Sequence, residues 1–254
     1  MLLFDDFSAV QLGILLGGSF IAGILNAISG GGGMVLIPMM VLTGVPPINA
    51  IAINKFQNTV GTVAAISYFN ASQKLDWRIL LPFLILAGIG AAFGVFALKD
   101  MAETGLLMAI LPYVLIAVAV YSILPQRSQS CEVSSSKWRV GAPIWAVAGV
   151  YGGSISIGTG PFLIALDRFF YRSELRDAIV RTKPIMLAVN VVSLSILVSM
   201  GFLNWPIAVL LSIGNFVGAK LGARIVTFEL VKIANVIVFT VPVVAALRLL
   251  ANGG

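Results

Sequence analysis

The chain has 254 residues, of which 59% are hydrophobic and only 10% are charged, with a formal net charge of +6. Soluble domains carry about 25% charged residues, so this composition excludes an ordinary soluble domain. The basic residues lie singly rather than in a cluster, which argues against a nucleic-acid partner. Histidine is absent, which removes the commonest metal ligand and acid–base group. We therefore expect neither a metal site nor a cofactor.

Long apolar runs without strand-like alternation predict membrane helices rather than the strands of a barrel. The first half of the chain has apolar segments near residues 8–28, 34–43, 50–70, 78–98 and 104–124. The second half has them near residues 140–153, 162–166, 178–200, 206–223 and 230–250. A membrane crossing takes about 20 residues, so the predicted fold class is an all-α polytopic membrane protein.

A polar linker over residues 125–139 separates a first repeat, 1–124, from a second repeat, 140–254. Rare residue types recur at one offset of 128 residues, as Lys55 and Lys183 show. The same offset relates the Leu75-Asp76-Trp77 and Leu203-Asn204-Trp205 turns, and Gly90 and Gly94 to Gly218 and Gly222. Such matches predict a tandem duplication.

Matched connectors of the two halves carry opposite charge bias. Connector 70–78 contains two basic residues while its counterpart 200–206 has none, and connector 44–49 is uncharged while its counterpart 167–177 contains three arginines. The positive-inside rule then places equivalent loops on opposite sides of the membrane. We therefore predict two inverted repeats, each a glycine-broken helix hairpin plus three transmembrane helices, with the 125–139 linker in the cytoplasm. Whether the hairpins re-enter or span stays open.

Two glycine-rich breaks, Gly30–Gly33 and Gly152–Gly160, interrupt the apolar segments. Backbone N–H groups freed inside a membrane must find partners, so we expect the breaks to line a cavity. The helix N-terminus after each break suits an anion. The alternative is that the glycines serve only close helix packing. The candidate binding residues here are Asn26, Ser29, Gly31, Gly32, Gly33, Ser156, Gly158, Thr159 and Gly160.

Lys55 and Lys183 follow the two breaks at about the same interval and lie inside apolar segments. A lysine at the bilayer centre costs about 2.5–3.5 kcal/mol, so we expect both to face an anion pathway. The alternative is that each snorkels to an interface. Nearby polar side chains could donate to an oxyanion or bond between helices, namely Asn54, Asn58, Thr182 and Asn190.

All ten carboxylates fall in termini or predicted connectors, Asp167 among them. Cation carriers and proton pumps usually place acidic residues inside the membrane, so this distribution favours an anionic substrate. It also argues against an intramembrane enzyme, because no nucleophile–base pair is visible. The expected partners are a small anion and the lipid bilayer, and homo-oligomerisation stays open.

The run Ser29–Pro38, the Asn54-Lys55 pair and the Leu75-Asp76-Trp77 turn resemble the TauE/SafE family of sulfite exporters. The Gly158-Thr159-Gly160-Pro161 block and the Leu203-Asn204-Trp205 turn are similar to that family's second half. The resemblance implies a secondary transporter of a small sulfur-containing oxyanion, sulfite or an organosulfonate. It implies export across a bacterial or archaeal cytoplasmic membrane, and the two inverted repeats predict alternating access. An anion channel, or an uptake permease for another small anion, is the alternative.

Overall fold

The computed structural model describes residues 7–72, 75, 77–123, 142–171, 173–224 and 228–252. Within those residues every regular element is a helix, as predicted. The helices are α1 (Ala9–Ser29), α2 (Gly32–Leu42), α3 (Pro47–Ser72), α4 (Trp77–Glu103), α5 (Leu106–Ile123), α6 (Ala142–Ser154), α7 (Thr159–Tyr171), α8 (Leu175–Ser199), α9 (Trp205–Arg224) and α10 (Phe228–Asn252). The predicted linker 125–139, with Cys131, lies outside the described residues, as do Lys74, Asp76 and Arg172.

Four helices of the described chain, α1, α4, α8 and α9, are long and apolar enough to cross a membrane. Helix α3 has 26 residues, but Asn54, Lys55, Gln57 and Asn58 make its middle polar. Helix α2 has 11 residues, and α6 and α7 have 13 each. These three are shorter than the roughly 20 residues of a full crossing. The first break thus joins the long helix α1 to the short helix α2, whereas the second break joins two short helices, α6 and α7.

Local sequence sets both ends of α1. Ser8 and Gln11 form a capping box, in which the Gln11 N–H donates to Ser8 Oγ at 3.2 Å and the Ser8 N–H donates to Gln11 Oε1 at 2.9 Å. Gly30 ends the helix in the left-handed conformation, with φ of 73°, and its N–H donates to the carbonyls of Leu25 and Asn26. A glycine adopts this conformation without strain, which explains why the helix stops there.

The structure corrects the predicted connector 167–177, because α7 continues to Tyr171 and α8 begins at Leu175. Asp167 therefore lies inside a helix and is buried. Its carboxylate accepts from Arg181 Nη2 at 2.7 Å and Nε at 3.2 Å, and from the Ser173 hydroxyl. This pairing is what allows a buried charge. The prediction that all carboxylates lie in termini or connectors is wrong for Asp167; Asp100, Glu103, Asp177 and Glu229 also lie in helices, but in the first or last turn.

Helices of the two halves pack against each other: α4 of the first half packs along α6 of the second, and α1 of the first half packs along α9 of the second. A Cβ added to Gly90 of α4 would overlap the carbonyl of Ala146 in α6. A Cβ added to Gly218 of α9 would overlap the carbonyl of Phe20 in α1 in the same way. Both crossings thus depend on glycines that let two backbones approach closely, as is common in membrane proteins.

Helices α3 and α8 pack together and run in opposite directions. Asn49, in the first turn of α3, donates from Nδ2 to the carbonyl of Phe202, just beyond the end of α8, at 2.8 Å. Near the other end of the pair, Phe69 of α3 shares an apolar cluster with Ile179 from the start of α8. The third helices of the two halves are therefore antiparallel.

Candidate functional site

Lys55 lies on α3 and is completely buried, with 0% of its surface exposed. Its ammonium donates to the backbone carbonyl of Gly152, in the last turn of α6, and lies 3.4 Å from Asn190 Oδ1 on α8. An ammonium has three N–H donors. Within the described residues, one of the three N–H groups of Lys55 therefore has no acceptor.

Lys183 lies on α8 and is also buried, with 1% exposure. Its ammonium donates to the backbone carbonyl of Asn26, in the last turn of α1. The Asn26 side chain in turn lies 3.4 Å from the Thr62 hydroxyl on α3. Because this carbonyl is the one acceptor that Lys183 finds in the described chain, two of its N–H groups stay available.

Each lysine thus reaches the end of a broken helix in the other half of the chain. The last carbonyls of a helix carry a partial negative charge, so an ammonium is stabilised there. Neither ammonium lies within ion-pair distance of a carboxylate among the residues that the structure describes. A helix end offers only a partial negative charge, so an anion would add to the stabilisation of each ammonium.

The two glycine breaks meet each other. A Cβ added to Gly30 would overlap the backbone of Gly160, and a Cβ added to Gly160 would overlap that of Gly30. Gly32 packs against the Ala22 carbonyl of its own hairpin, which is the packing role that we considered as the alternative. Glycine at these places allows the breaks to cross at backbone contact.

Asn54 joins the first break to the second. Its Nδ2 donates to Ser156 Oγ at 3.3 Å, and a Cβ added to Gly33 would lie 2.9 Å from the same nitrogen. Ser156 has φ of 66° and is the one non-glycine residue with positive φ in the described ranges. A side chain in that region is strained, and such strain often accompanies a functional role.

The other predicted residues are buried as well, but several use their hydroxyl protons locally. Ser29 donates to the carbonyl of Leu25 at 3.1 Å, and Thr182 donates to that of Ala178 at 2.7 Å. Thr159 donates to the carbonyl of Ser156 at 3.1 Å. Asn58 Oδ1 and Asn190 Nδ2 are buried without a hydrogen-bond partner. Gly31 precedes α2, and Gly158 precedes α7 with φ of 71°.

Sequence reasoning missed three parts of this region. The carbonyl of Gly152 carries no sequence signal as a lysine partner, since every residue has one. Gly30, which was not among the predicted binding residues, makes the contact with Gly160. Ser19 and Asn215 are buried polar residues, each directly between a glycine and a phenylalanine in an apolar stretch, and that placement was the available signal.

Comparison with known proteins shows the family of the chain. The profile of the family described as "Sulfite exporter TauE/SafE" matches residues 15–249. The chain is 29% identical to "Probable membrane transporter protein ORF9" of Sinorhizobium sp, over 98% of this chain and 95% of that protein. It is 26% identical to "Probable membrane transporter protein YfcA" of Escherichia coli strain K12, over 96% and 91% of the two chains. A Haemophilus influenzae protein called "Probable membrane transporter protein" is 26% identical, over 87% of each chain. No solved structure matches significantly. The chain therefore belongs to the sulfite exporter TauE/SafE family of membrane transporters.

Proposed function

We propose that the protein is a secondary transporter that exports a small sulfur-containing oxyanion, sulfite or an organosulfonate, across the cytoplasmic membrane of a bacterium or archaeon. The observation that carries the proposal is the pair of buried lysines, Lys55 and Lys183, with no carboxylate beside either in the described chain. A buried charge needs a partner of opposite sign. A transported anion supplies that partner.

The surplus of hydrogen-bond donors points to an oxyanion. One N–H of Lys55, two of Lys183 and the Asn190 amide find no acceptor among the described residues. The oxygens of an oxyanion accept such bonds, and bonds between charged groups are among the stronger ones. The choice of a sulfur oxyanion rests on the family description, since the named relatives are called only probable membrane transporters.

The competing interpretation gives the lysines a purely structural role as caps of α6 and α1. A cap needs one or two donors, and the contacts with Gly152 and Asn26 already satisfy it. It does not account for the remaining N–H groups, each of which is costly to bury unpaired. The anion therefore explains more of the arrangement than the cap does.

Alternating access needs two units that can move against each other. The antiparallel course of α3 and α8 supports inverted repeats, because equivalent helices of an inverted pair run in opposite directions. The exchanged pairs, α4 with α6 and α1 with α9, support a two-fold relation between the halves. We propose that the two glycine breaks and the two lysines lie near the membrane midplane, where rocking of one repeat exposes them to either side.

The test is sulfite flux in proteoliposomes, with the variants Lys55→Gln and Lys183→Gln. Lys220→Gln is the matched control, because Lys220 is exposed on α9. Losing a hydrogen bond to a charged group costs about 1.5–3 kcal/mol, so each buried variant should weaken sulfite binding roughly 10- to 150-fold. Unchanged flux and affinity in both buried variants would contradict the proposal.

Two further measurements separate the alternatives. Single-channel currents in planar bilayers would identify an anion channel, whereas slow saturable flux identifies a carrier. Comparison of inside-out with right-side-out vesicles separates an exporter from an uptake permease. Titration of the purified protein with sulfite, sulfate, thiosulfate and a short sulfonate establishes which anion it binds.

A further inference from the structure

We infer that Gln57, Ser19 and Asn215 are positioning residues that orient the Asn54 amide, so that its donor end faces the crossing of the two glycine breaks. The inference rests on the proposed function and adds to it the residues that set the donor character of one wall of the anion site. None of these three side chains belongs to the lysine contacts.

The orientation passes along a chain of hydrogen bonds between completely buried side chains. Gln57 Oε1 accepts from the Asn215 amide at 3.3 Å and lies 3.0 Å from the Ser19 hydroxyl, whose single proton is shared with the Leu211 carbonyl. Its Nε2 then donates to Asn54 Oδ1 at 3.1 Å. Because the two ends of an amide differ, fixing Oδ1 toward Gln57 turns the Asn54 donor toward Ser156 and Gly33.

The second half of the protein shows why this series of hydrogen bonds is needed. Thr182 stands at the position equivalent to Asn54, at the offset that also relates the two lysines. Its hydroxyl is fixed by its own helix, through the bond to the Ala178 carbonyl. A threonine therefore needs no outside group to orient it, whereas an asparagine with two different ends does.

The surroundings of Thr182 are correspondingly apolar. Gly149 packs on the carbonyl of Ala87 as Gly23 packs on that of Asn215, so Ala87 is the counterpart of Asn215. Ile185 stands where Gln57 stands in the first half, and Trp145 precedes Gly149 as Ser19 precedes Gly23. Ala87, Ile185 and Trp145 lie in one apolar cluster. The series of polar side chains thus occurs in the half that has Asn54. Apolar side chains take their places in the half that has Thr182.

A different interpretation gives the series of polar side chains a purely structural role, as hydrogen bonding between α1, α3 and α9. The two interpretations differ in how they depend on residue 54. If Gln57 only bonds the helices together, its loss should change sulfite binding equally whether residue 54 is Asn or Thr. If Gln57 orients the amide, its loss should weaken sulfite binding only when residue 54 is Asn.

A double-mutant cycle of Gln57→Ile and Asn54→Thr distinguishes them, because both substitutions copy the second half. The measurements are sulfite Kd of the purified protein, KM and kcat in proteoliposomes, and thermal unfolding. We expect Gln57→Ile alone to raise Kd and KM about fivefold to tenfold, which is the size of a lost hydrogen bond, with little change in kcat. In the Asn54→Thr background we expect Gln57→Ile to change Kd less than twofold.

Asn215→Ala, which copies Ala87, repeats the cycle with Asn54→Thr should Gln57→Ile fail to fold. An equal effect of Gln57→Ile on Kd in both backgrounds would overturn the inference, and so would a loss of thermal stability at unchanged Kd. Failure of the wild-type protein to bind any sulfur oxyanion would overturn the proposed function together with the inference. Normal wild-type binding with additive effects would overturn the inference alone.

Discussion

The ammonium of Lys55, on the third helix of the first half, donates to the carbonyl of Gly152, at the end of the first helix of the second half. Lys183, on the third helix of the second half, likewise donates to the carbonyl of Asn26, at the end of the first helix of the first half. Each lysine therefore connects the two halves of the chain. In the proposed alternating-access mechanism, an anion that draws the ammonium away from its carbonyl would weaken this connection and so couple binding to movement.

If both lysines bind the same anion, their contributions should not be independent. We predict that Lys55→Gln and Lys183→Gln couple in a double-mutant cycle, with an interaction energy of about 1–2 kcal/mol in sulfite binding. The double variant should then bind sulfite more tightly than the product of the two single effects on Kd predicts. The measurement is sulfite Kd of the four purified proteins. Strict additivity would show that each lysine acts at a separate place.

The crossing of the breaks can be tested at Gly160. We predict that Gly160→Ala lowers both thermal stability and flux, since its methyl group would overlap the backbone of Gly30. Forcing an extra methyl into a packed site costs about 1–3 kcal/mol. Gly17→Ala is the control, because a Cβ there meets nothing within 4 Å. Equal unfolding temperatures for the two variants would show that the breaks separate easily.

The contact between α4 and α6 gives a comparison within one helix. A Cβ on Gly90 would overlap the Ala146 carbonyl, whereas one on Gly88 would lie 3.4 Å from Val192 Cγ2. We predict that Gly90→Ala lowers the unfolding temperature and Gly88→Ala leaves it nearly unchanged. Thermal unfolding in detergent measures both. The prediction fails if the two substitutions have the same effect.

Much of this architecture follows from local sequence. Apolar runs predict the helices, and Gly30 ends α1 because its conformation suits glycine. The predicted and observed segments therefore agree along most of the described chain. Helix α7 is the exception, since Asp167 and Arg168 suggested a connector. What keeps Asp167 inside the helix is its pairing with Arg181 on α8, and a tertiary contact of that kind leaves no periodic signal.

The candidate site, too, could be predicted only in part from the sequence. Lys55 and Lys183 stand out in a sequence because charges inside apolar segments are rare. Their acceptors do not, because a backbone carbonyl looks the same at every position. The contact of Asn215 with Gln57 joins residues 158 positions apart, so only folding brings them together. Charge placement can be predicted from the sequence, but the hydrogen-bond partners that orient polar groups cannot.

Asp167 and Arg181 form a buried ion pair, although the predicted topology placed Asp167 in a connector. We predict that Asp167→Asn destabilises the protein by about 3 kcal/mol, the lower end for a broken buried pair, since 26% of the Arg181 side chain is exposed. Glu103→Gln is the matched control. Its pair with Lys99 is 3.5 Å long and exposed, so the expected cost is below about 1 kcal/mol.

The same two variants separate a structural carboxylate from a proton-carrying one. Asp167 contacts Arg181 and Ser173 but neither of the two buried lysines. We therefore expect Asp167→Asn to keep the sulfite Kd and the response of flux to an imposed pH gradient, despite its lower unfolding temperature. Flux at several pH gradients, in proteoliposomes containing matched amounts of folded protein, measures this. Loss of the pH response at unchanged sulfite affinity would show instead that Asp167 takes part in proton coupling.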